Sequence, residues 1–170
     1  DRPTYLELLR AQAQRYGLEV WAYCLMTNHV HLVVVPRREH ALTRAIAETH
    51  RRYTRVINFR HGWRGFLWQG RFGSVALDEA HLIAAIRYVE RNPVAAGLVP
   101  YAADYPWASA RAHVHRRADP VLSPCFLTDQ IRDWAEFLAD PADDAFGQQL
   151  GQSSIGRPLG SPDFLATLEA

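Results

Sequence analysis

The stretch Tyr23-Cys24-Leu25-Met26-Thr27-Asn28-His29-Val30-His31-Leu32-Val33-Val34-Val35-Pro36 decides how this chain is read. It spells two short strands joined by a tight turn at Thr27-Asn28, and the second strand opens histidine, valine, histidine. Side chains alternate across a strand, so His29 and His31 share one face with Val33 and Val35, while Val30, Leu32 and Val34 line the other. Same-face neighbours lie roughly 7 Å apart, close enough for two imidazoles to converge on one ion. A half-buried strand with two polar residues turned to solvent has the same spelling. The chain even repeats it at His113-Val114-His115, among Ser109, Arg111, Arg116 and Arg117 and without an alternating strand, and that copy reads as a decoy.

Upstream, Leu18 to Met26 alternates as a strand, with Val20, Ala22 and Cys24 opposite Glu19, Trp21 and Tyr23. Before it, Thr4-Tyr5-Leu6-Glu7 reads as a capping box, and Leu6, Leu9, Ala13 and Tyr16 continue a helix that stops at Gly17. Downstream, Pro36 ends the hairpin, and Ala41 to Arg60 is a helix with Leu42, Ile46, Thr49, Tyr53, Val56 and Ile57 inward. Phe66 to Leu77 reads as an irregular strand broken by Gly70 and Gly73. Asp78 caps a second long helix that ends near Arg91 or Gly97, with Leu82, Ile83, Ile86 and Val89 as its core stripe.

Further on, Tyr101 to Val114 reads as a turn and a short helix, and Leu127 to Leu138 as a helix capped by Thr128 or Asp129. Pro141 to Ser154 reads as a linker, and a last helix from Pro162 to Glu169 is capped by Ser161. The order helix, strand, strand, helix, strand, helix predicts an α+β fold: a ferredoxin-like antiparallel sheet with helices on one face. Its first strand is expected before Asp1, outside this chain, and a helical extension follows at the C-terminus. The corresponding division is a catalytic domain over 1–100 and an extension with its tail over 101–170.

The 170 residues are enough for one domain with a real core. No apolar run reaches the ~18 residues of a membrane span. Cys24 and Cys125, the two cysteines, fit neither a disulfide framework nor a paired-cysteine metal site, so a cytoplasmic location is expected. Net charge is +1, yet all 19 basic residues are arginine, most of them between Arg37 and Arg117. Arginine binds phosphate bidentately, which points to nucleic acid; a GC-rich genome gives the same bias.

Within that region Arg44, Arg51 and Arg55 form one stripe on the Ala41 helix, read either as a solvated surface or as phosphate contacts. Trp68, Arg71 and Phe72 interleave aromatics with charge, read either as core aromatics or as a surface that stacks bases. Tyr88 and Asn92 sit four apart on the Asp78 helix, off its core stripe. Pro93 disfavours helical geometry at Asn92, so their alignment needs the helix to persist that far.

The hairpin with His29 and His31, followed by Ala85-Ala-Ile-Arg-Tyr88-Val-Glu-Arg-Asn92-Pro-Val-Ala-Ala-Gly-Leu98, resembles the single-tyrosine HUH transposases. The stretches Tyr23 to His31, Leu67-Trp-Gln-Gly-Arg-Phe72, Asp104-Tyr-Pro-Trp107 and Gly156-Arg-Pro-Leu-Gly-Ser161 resemble the REP-associated branch in particular. The resemblance implies a ferredoxin-like fold and cutting of single-stranded DNA at REP-like hairpins. It implies Tyr88 as nucleophile, His29, His31 and Asn92 as ligands of a divalent ion (Mg2+ or Mn2+), and a monomer or a homodimer. DNA contacts are expected from Arg44, Arg51, Arg55, Trp68 and Arg71. In that branch the segment before the first helix also carries residues that read a tetranucleotide beside the hairpin.

The chemistry holds together on its own terms. A phenol ionises near pH 10 and is a weak nucleophile at neutrality, so a cation beside the scissile phosphate is needed to offset the charge that develops. A covalent phosphotyrosine conserves the phosphodiester energy, which lets a later hydroxyl rejoin strands. No general base stands out in the sequence; metal-bound water is one candidate and His81, one helical stripe from Tyr88, is another. Two other readings compete: a hairpin-binding module that has lost cutting, and a ferredoxin-like domain whose histidines hold a structural metal or nothing.

Overall fold

In the computed structural model, residues 1–140 and 158–169 are described. They divide into two compact units interleaved along the chain: Asp1–Trp21, Val34–Phe72 and Ala118–Cys125 in one, and Ala22–Val33, Gly73–Arg117 and Phe126–Ala170 in the other. The expected linker Pro141 to Ser154 and the tail residues Gly156-Arg157 lie outside the described residues.

Helix α1 (Arg2–Tyr16) opens the first unit. The expected capping box is not used: Asp1 takes the N-cap position, Pro3 fits the first turn, and Thr4 lies inside the helix. Gly17 closes α1 at φ 75°, a left-handed geometry that glycine adopts without strain, and its N–H reaches the Ala13 carbonyl at 3.0 Å. The turn leads straight into β1 (Leu18–Leu25), which pairs antiparallel with β2 (Val30–Pro36). Helix α2 (Ala41–His61) lies against α1 in the first unit, burying Ala41, Ala45, Ile46, Thr49 and Ile57. The Tyr5 hydroxyl meets His50 Nε2 at 3.1 Å across that contact.

The α+β class and the antiparallel hairpin agree with the sequence reading, and the arrangement is consistent with a ferredoxin-like sheet with helices. The strand expected over Phe66 to Leu77 does not form. Gly65, Gly70 and Gly73 keep this segment in bends and open loop, and its one ladder contact among the described residues is a parallel bridge from Leu77 to Leu159. Other segments pair with β1 instead. In the second unit Cys24 bridges Ala108, Leu25 N–H reaches the Trp107 carbonyl at 2.8 Å, and Ser109 N–H reaches the Tyr23 carbonyl at 3.0 Å. In the first, Ser123 N–H donates to the Val20 carbonyl at 2.8 Å.

Helix α3 (Glu79–Ala95) is the spine of the second unit. Asp78 caps it, its carboxylate accepting from the His81 amide at 3.0 Å, His81 Nδ1 at 2.5 Å and the Ser161 amide at 2.7 Å. Those hydrogen bonds hold the Asp78 pKa down at about 2. Pro93 does not end the helix. It is buried within α3, and the Asn92 carbonyl still accepts from Ala96 at 2.9 Å.

Glu90 falls on the core stripe, four residues past Ile86, and is fully buried. Its carboxylate accepts from the Ser109 hydroxyl and from His113 Nδ1 at 2.7 Å. The His113 ring stacks on Trp134 at 4.3 Å, and Ser109 Oγ accepts from the Tyr23 amide at 3.0 Å. One buried acid therefore ties α3 to the residues that flank β1. Around it lie a 3-10 turn (Ala102–Asp104), α4 (Ala110–Val114), α5 (Leu127–Gln130) and α6 (Trp134–Ala139).

The single helix expected over Leu127 to Leu138 is two. Asp133 breaks the run by turning its carboxylate to the Glu136 amide at 2.9 Å, so it caps α6 instead of continuing α5. Neither Thr128 nor Asp129 caps α5, whose N-cap position is Phe126. Helix α7 (Pro162–Glu169) follows Ser161, whose Oγ accepts from the Phe164 amide at 3.3 Å. The tail pairs with the segment leading into α3: Leu159 exchanges backbone bonds with Ala76 at 2.8 Å and Asp78 at 3.2 Å.

Two outcomes follow from these anchors. Replacing Glu90 with alanine takes the carboxylate from the buried His113 imidazole, removes one bond of the Ser109 hydroxyl and leaves a cavity. The cost is ~2–4 kcal/mol, read as a lower denaturation midpoint, and an unchanged midpoint contradicts the anchoring role. The Asp78 bonds stabilise the protein fully above about pH 4, the carboxylate's ordinary range, and are lost as pH falls through about 2. A carboxyl-carbon NMR titration therefore places the Asp78 midpoint near 2, and a midpoint near 4 refutes the cap.

Candidate active site

The second unit holds the hairpin tip and α3 together. Met26 N–H donates to the His29 carbonyl at 2.9 Å, which closes the turn over Thr27-Asn28 and sets the register of β2. In that register His29 and His31 turn the same way, as the alternation predicts: their rings meet edge to face, centroids 4.7 Å apart. The His31 ring in turn faces Tyr88, centroids 5.5 Å apart at 77°. Tyr88 is half-buried on α3, off the stripe formed by Ile86 and Val89. Two residues separated by more than fifty positions are thus in ring contact.

The environment of the two imidazoles differs. His29 is exposed, and its Nδ1 lies 2.7 Å from Asn28 Oδ1. Donating Nδ1–H to that oxygen leaves the lone pair on Nε2, the usual way a neighbour fixes a ligating histidine. His31 is half-buried, and its Nε2 is enclosed without a hydrogen-bond partner. Burial first, and the charge of His29 second, lower the His31 pKa to about 4, so its ring is neutral at neutral pH. A neutral, enclosed and unpartnered ring nitrogen beside a second imidazole fits a bound divalent cation.

Among the described residues no group of three or more His, Cys, Asp or Glu side chains gathers to hold an ion. A third protein ligand would therefore be of another type, as the Asn92 carboxamide is. Asn92 lies one turn beyond Tyr88, half-buried, and α3 stays helical through it, so the alignment that Pro93 put at risk is kept. His81 lies two turns before Tyr88, about 10 Å along the helix, with its ring bonded to Asp78. The second histidine pair is not an ion site: His113 belongs to the Glu90 anchor, and His115 is exposed.

The expected DNA-contacting residues all lie in the first unit. Arg44, Arg55 and Arg71 are exposed. Arg51 instead grips Glu48 with two bonds at 2.8 and 2.7 Å, and Arg52 joins it at 2.7 Å, so the two guanidiniums share one carboxylate. Trp68 is half-buried and stacks on His50 at 3.8 Å, beside Tyr5 and Tyr53. One of its faces is therefore taken by protein. Sequence reasoning missed Glu90, although a carboxylate at the fourth position after Ile86 on a core stripe was a readable sign of a buried partner.

No helix among the described residues is long and apolar enough to cross a membrane. No curated protein and no solved structure matches the chain significantly. A family model described as IS200-like transposase matches residues 1–92, more than half of the chain, and its span takes in the hairpin histidines, Tyr88 and Asn92. The chain belongs to the IS200-like transposase family.

Proposed function

We propose that this protein is a metal-dependent endonuclease and strand transferase for single-stranded DNA, acting at REP-type hairpins through a 5′-phosphotyrosine intermediate. The observation that carries the reading is the contact of Tyr88 with His31, whose buried Nε2 has no hydrogen-bond partner. An ordinary surface tyrosine has no reason to face an enclosed, neutral imidazole whose ring nitrogen lacks a partner. The family to which the chain belongs supports DNA as the partner. The REP-type hairpin rests on the resemblance of the stretches around His29, Trp68, Trp107 and Gly156.

In this reading α3 presents the Tyr88 hydroxyl to the phosphorus of a scissile phosphodiester. The tyrosyl oxygen forms the new P–O bond as the bond to the 3′ oxygen breaks. The phenol's proton is released and the leaving oxygen takes one up, so a 5′-phosphotyrosine and a free 3′-hydroxyl result. His29, His31 and Asn92 would hold the divalent cation, Mg2+ or Mn2+, which when bound supplies Lewis acidity to the phosphate. The neutral His31 ring keeps its lone pair for that role instead of a proton. Attack by a second 3′-hydroxyl reverses the step and joins strands.

Residues 1–100 carry the chemistry, and 101–170 form an extension whose Ser109 and His113 brace Glu90 two positions beyond the nucleophile. Both halves of the site come from one chain, which favours a monomer as the active unit. A hairpin-binding module without cutting is the second reading, and it shares the arginine surface but not the need for Tyr88.

Incubation of the chain with a labelled single-stranded REP-like hairpin and Mn2+ yields an SDS-resistant adduct that Tyr88→Phe abolishes. An adduct that survives the substitution, or binding without any adduct, overturns the nuclease reading. Titration calorimetry with Mn2+ alone detects one site in the wild type. Affinity for that site falls by at least about ten-fold in His31→Ala, and equal affinity in the variant removes His31 from the ligand set.

A further inference from the structure

The longest acid-free, arginine-rich run in the chain, Thr49 to Leu77, contains six arginines and no aspartate or glutamate. It spans the end of α2 and the loop after it, and all six arginines, up to Phe72, lie in the first unit. Arg51 and Arg52 are paired with Glu48, and Arg60 with Asp1. Arg55, Arg64 and Arg71 have no carboxylate partner among the described residues and are exposed. The segment is therefore a concentrated positive surface in a chain whose net charge is only +1.

Embedded in that charge are large apolar side chains that the protein leaves in water. Phe59 is 91 % exposed, Trp63 57 % and Phe66 98 %, with Leu67 at 36 %. These four, within nine consecutive residues, are half of the large apolar side chains exposed among the described residues. Scattered surface apolar residues need no explanation, but a cluster does. Phe59 stands on the last turn of α2, and the loop that carries the other three is also held in place. Gly62 caps α2 at φ 66°, Trp63 N–H reaches the Asn58 carbonyl at 2.9 Å, and Asn58 Nδ2 donates to the Gly65 carbonyl at 2.8 Å. The His61 ring stacks on Trp63 at 4.7 Å.

We propose that Phe59, Trp63 and Phe66, framed by Arg55, Arg64 and Arg71, form a platform on which unpaired bases of single-stranded DNA stack. The proposal rests on the reading above that the substrate is single-stranded DNA, and it adds the part of the protein that grips the unpaired strand. Charge complementarity selects this occupant: a protein partner with an apolar patch gains nothing from unpaired arginines without acids, whereas a single strand offers a base face and a phosphate at every step. Trp68, with one face covered by His50, is set back from this role. Rings on a helix end and a short, braced loop lose little freedom on binding, and stacking tolerates any base.

The test measures anisotropy of a short fluorescein-labelled single strand with the full chain, in chelator so that binding is read without cleavage. Phe59→Ala and Phe66→Ala each weaken binding by roughly ten-fold, and Phe66→Trp restores it. A strand with abasic sites binds the wild type as weakly as the intact strand binds the double alanine variant. Arg64→Gln instead lowers the salt dependence by about 0.7 in slope and leaves the preference for intact over abasic strands in place. These alanine changes lie on the surface, so unchanged thermal denaturation accompanies them.

Equal affinity of wild type and alanine variants, or of intact and abasic strands, overturns the platform. So does a dimer that Phe66→Ala dissociates while DNA affinity stays constant, since the surface then belongs to a second copy. A wild type that binds no single strand removes this proposal together with the nuclease reading. Ring-dependent binding without a Tyr88 adduct supports the platform and removes the nuclease reading alone.

Discussion

A carboxylate with no exposure to solvent sits at the centre of the second unit. Glu90 is held there by the Ser109 hydroxyl and by His113, and Ser109 in turn exchanges hydrogen bonds with the backbone of Tyr23. Desolvating an acid costs several kcal/mol, and only Oε1 of Glu90 is compensated while Oε2 is buried without a partner. The two bonds to Oε1 therefore hold α3 to one position and rotation against β1. That constraint also fixes the opposite side of α3. Tyr88, two residues earlier, is turned toward the hairpin tip because Glu90 is turned away from it. The contact of Tyr88 with His31 is in this sense a consequence of where a buried acid finds its partners.

The same hairpin satisfies two demands. Its β1 strand is buried nearly throughout, and its edge is paired with Trp107 to Ser109 in place of a further strand. Its β2 strand begins beside the turn, where alternation brings two imidazoles to one side. One of them is exposed and oriented by Asn28, and the other is enclosed and neutral. Chemistry at a phosphate needs such a mixture: one side open to substrate, and a floor that excludes water and keeps lone pairs unprotonated.

Periodicity made much of this legible. The alternation of Val20, Ala22 and Cys24, the shared side of His29 and His31, and the i,i+4 relation of Tyr88 to Asn92 all follow from geometry that a sequence carries directly. Pro93 pointed the wrong way, because a buried proline late in α3 costs one hydrogen bond that tertiary packing offsets. The strand expected from Phe66 to Leu77 failed for the converse reason. Its aromatics are drawn to His50 or left in solvent, and its glycines favour bends. Local competition by Asp133 split a helix whose apolar spacing was otherwise sound. In the sequence His113-Val114-His115 reads only as a decoy, and the structure shows that His113 serves as a partner for Glu90.

The role proposed for Tyr88 is nucleophilic attack on phosphorus, and the covalent species itself reports on that. Digestion of the adduct with trypsin releases Tyr88-Val89-Glu90-Arg91, flanked by Arg87 and Arg91, as one short peptide. Mass spectrometry of nuclease-trimmed digests finds a 5′-linked nucleotide on this peptide, with fragmentation placing it on the tyrosine. A nucleotide on any other peptide, or an intact strand with no modified peptide, contradicts the account.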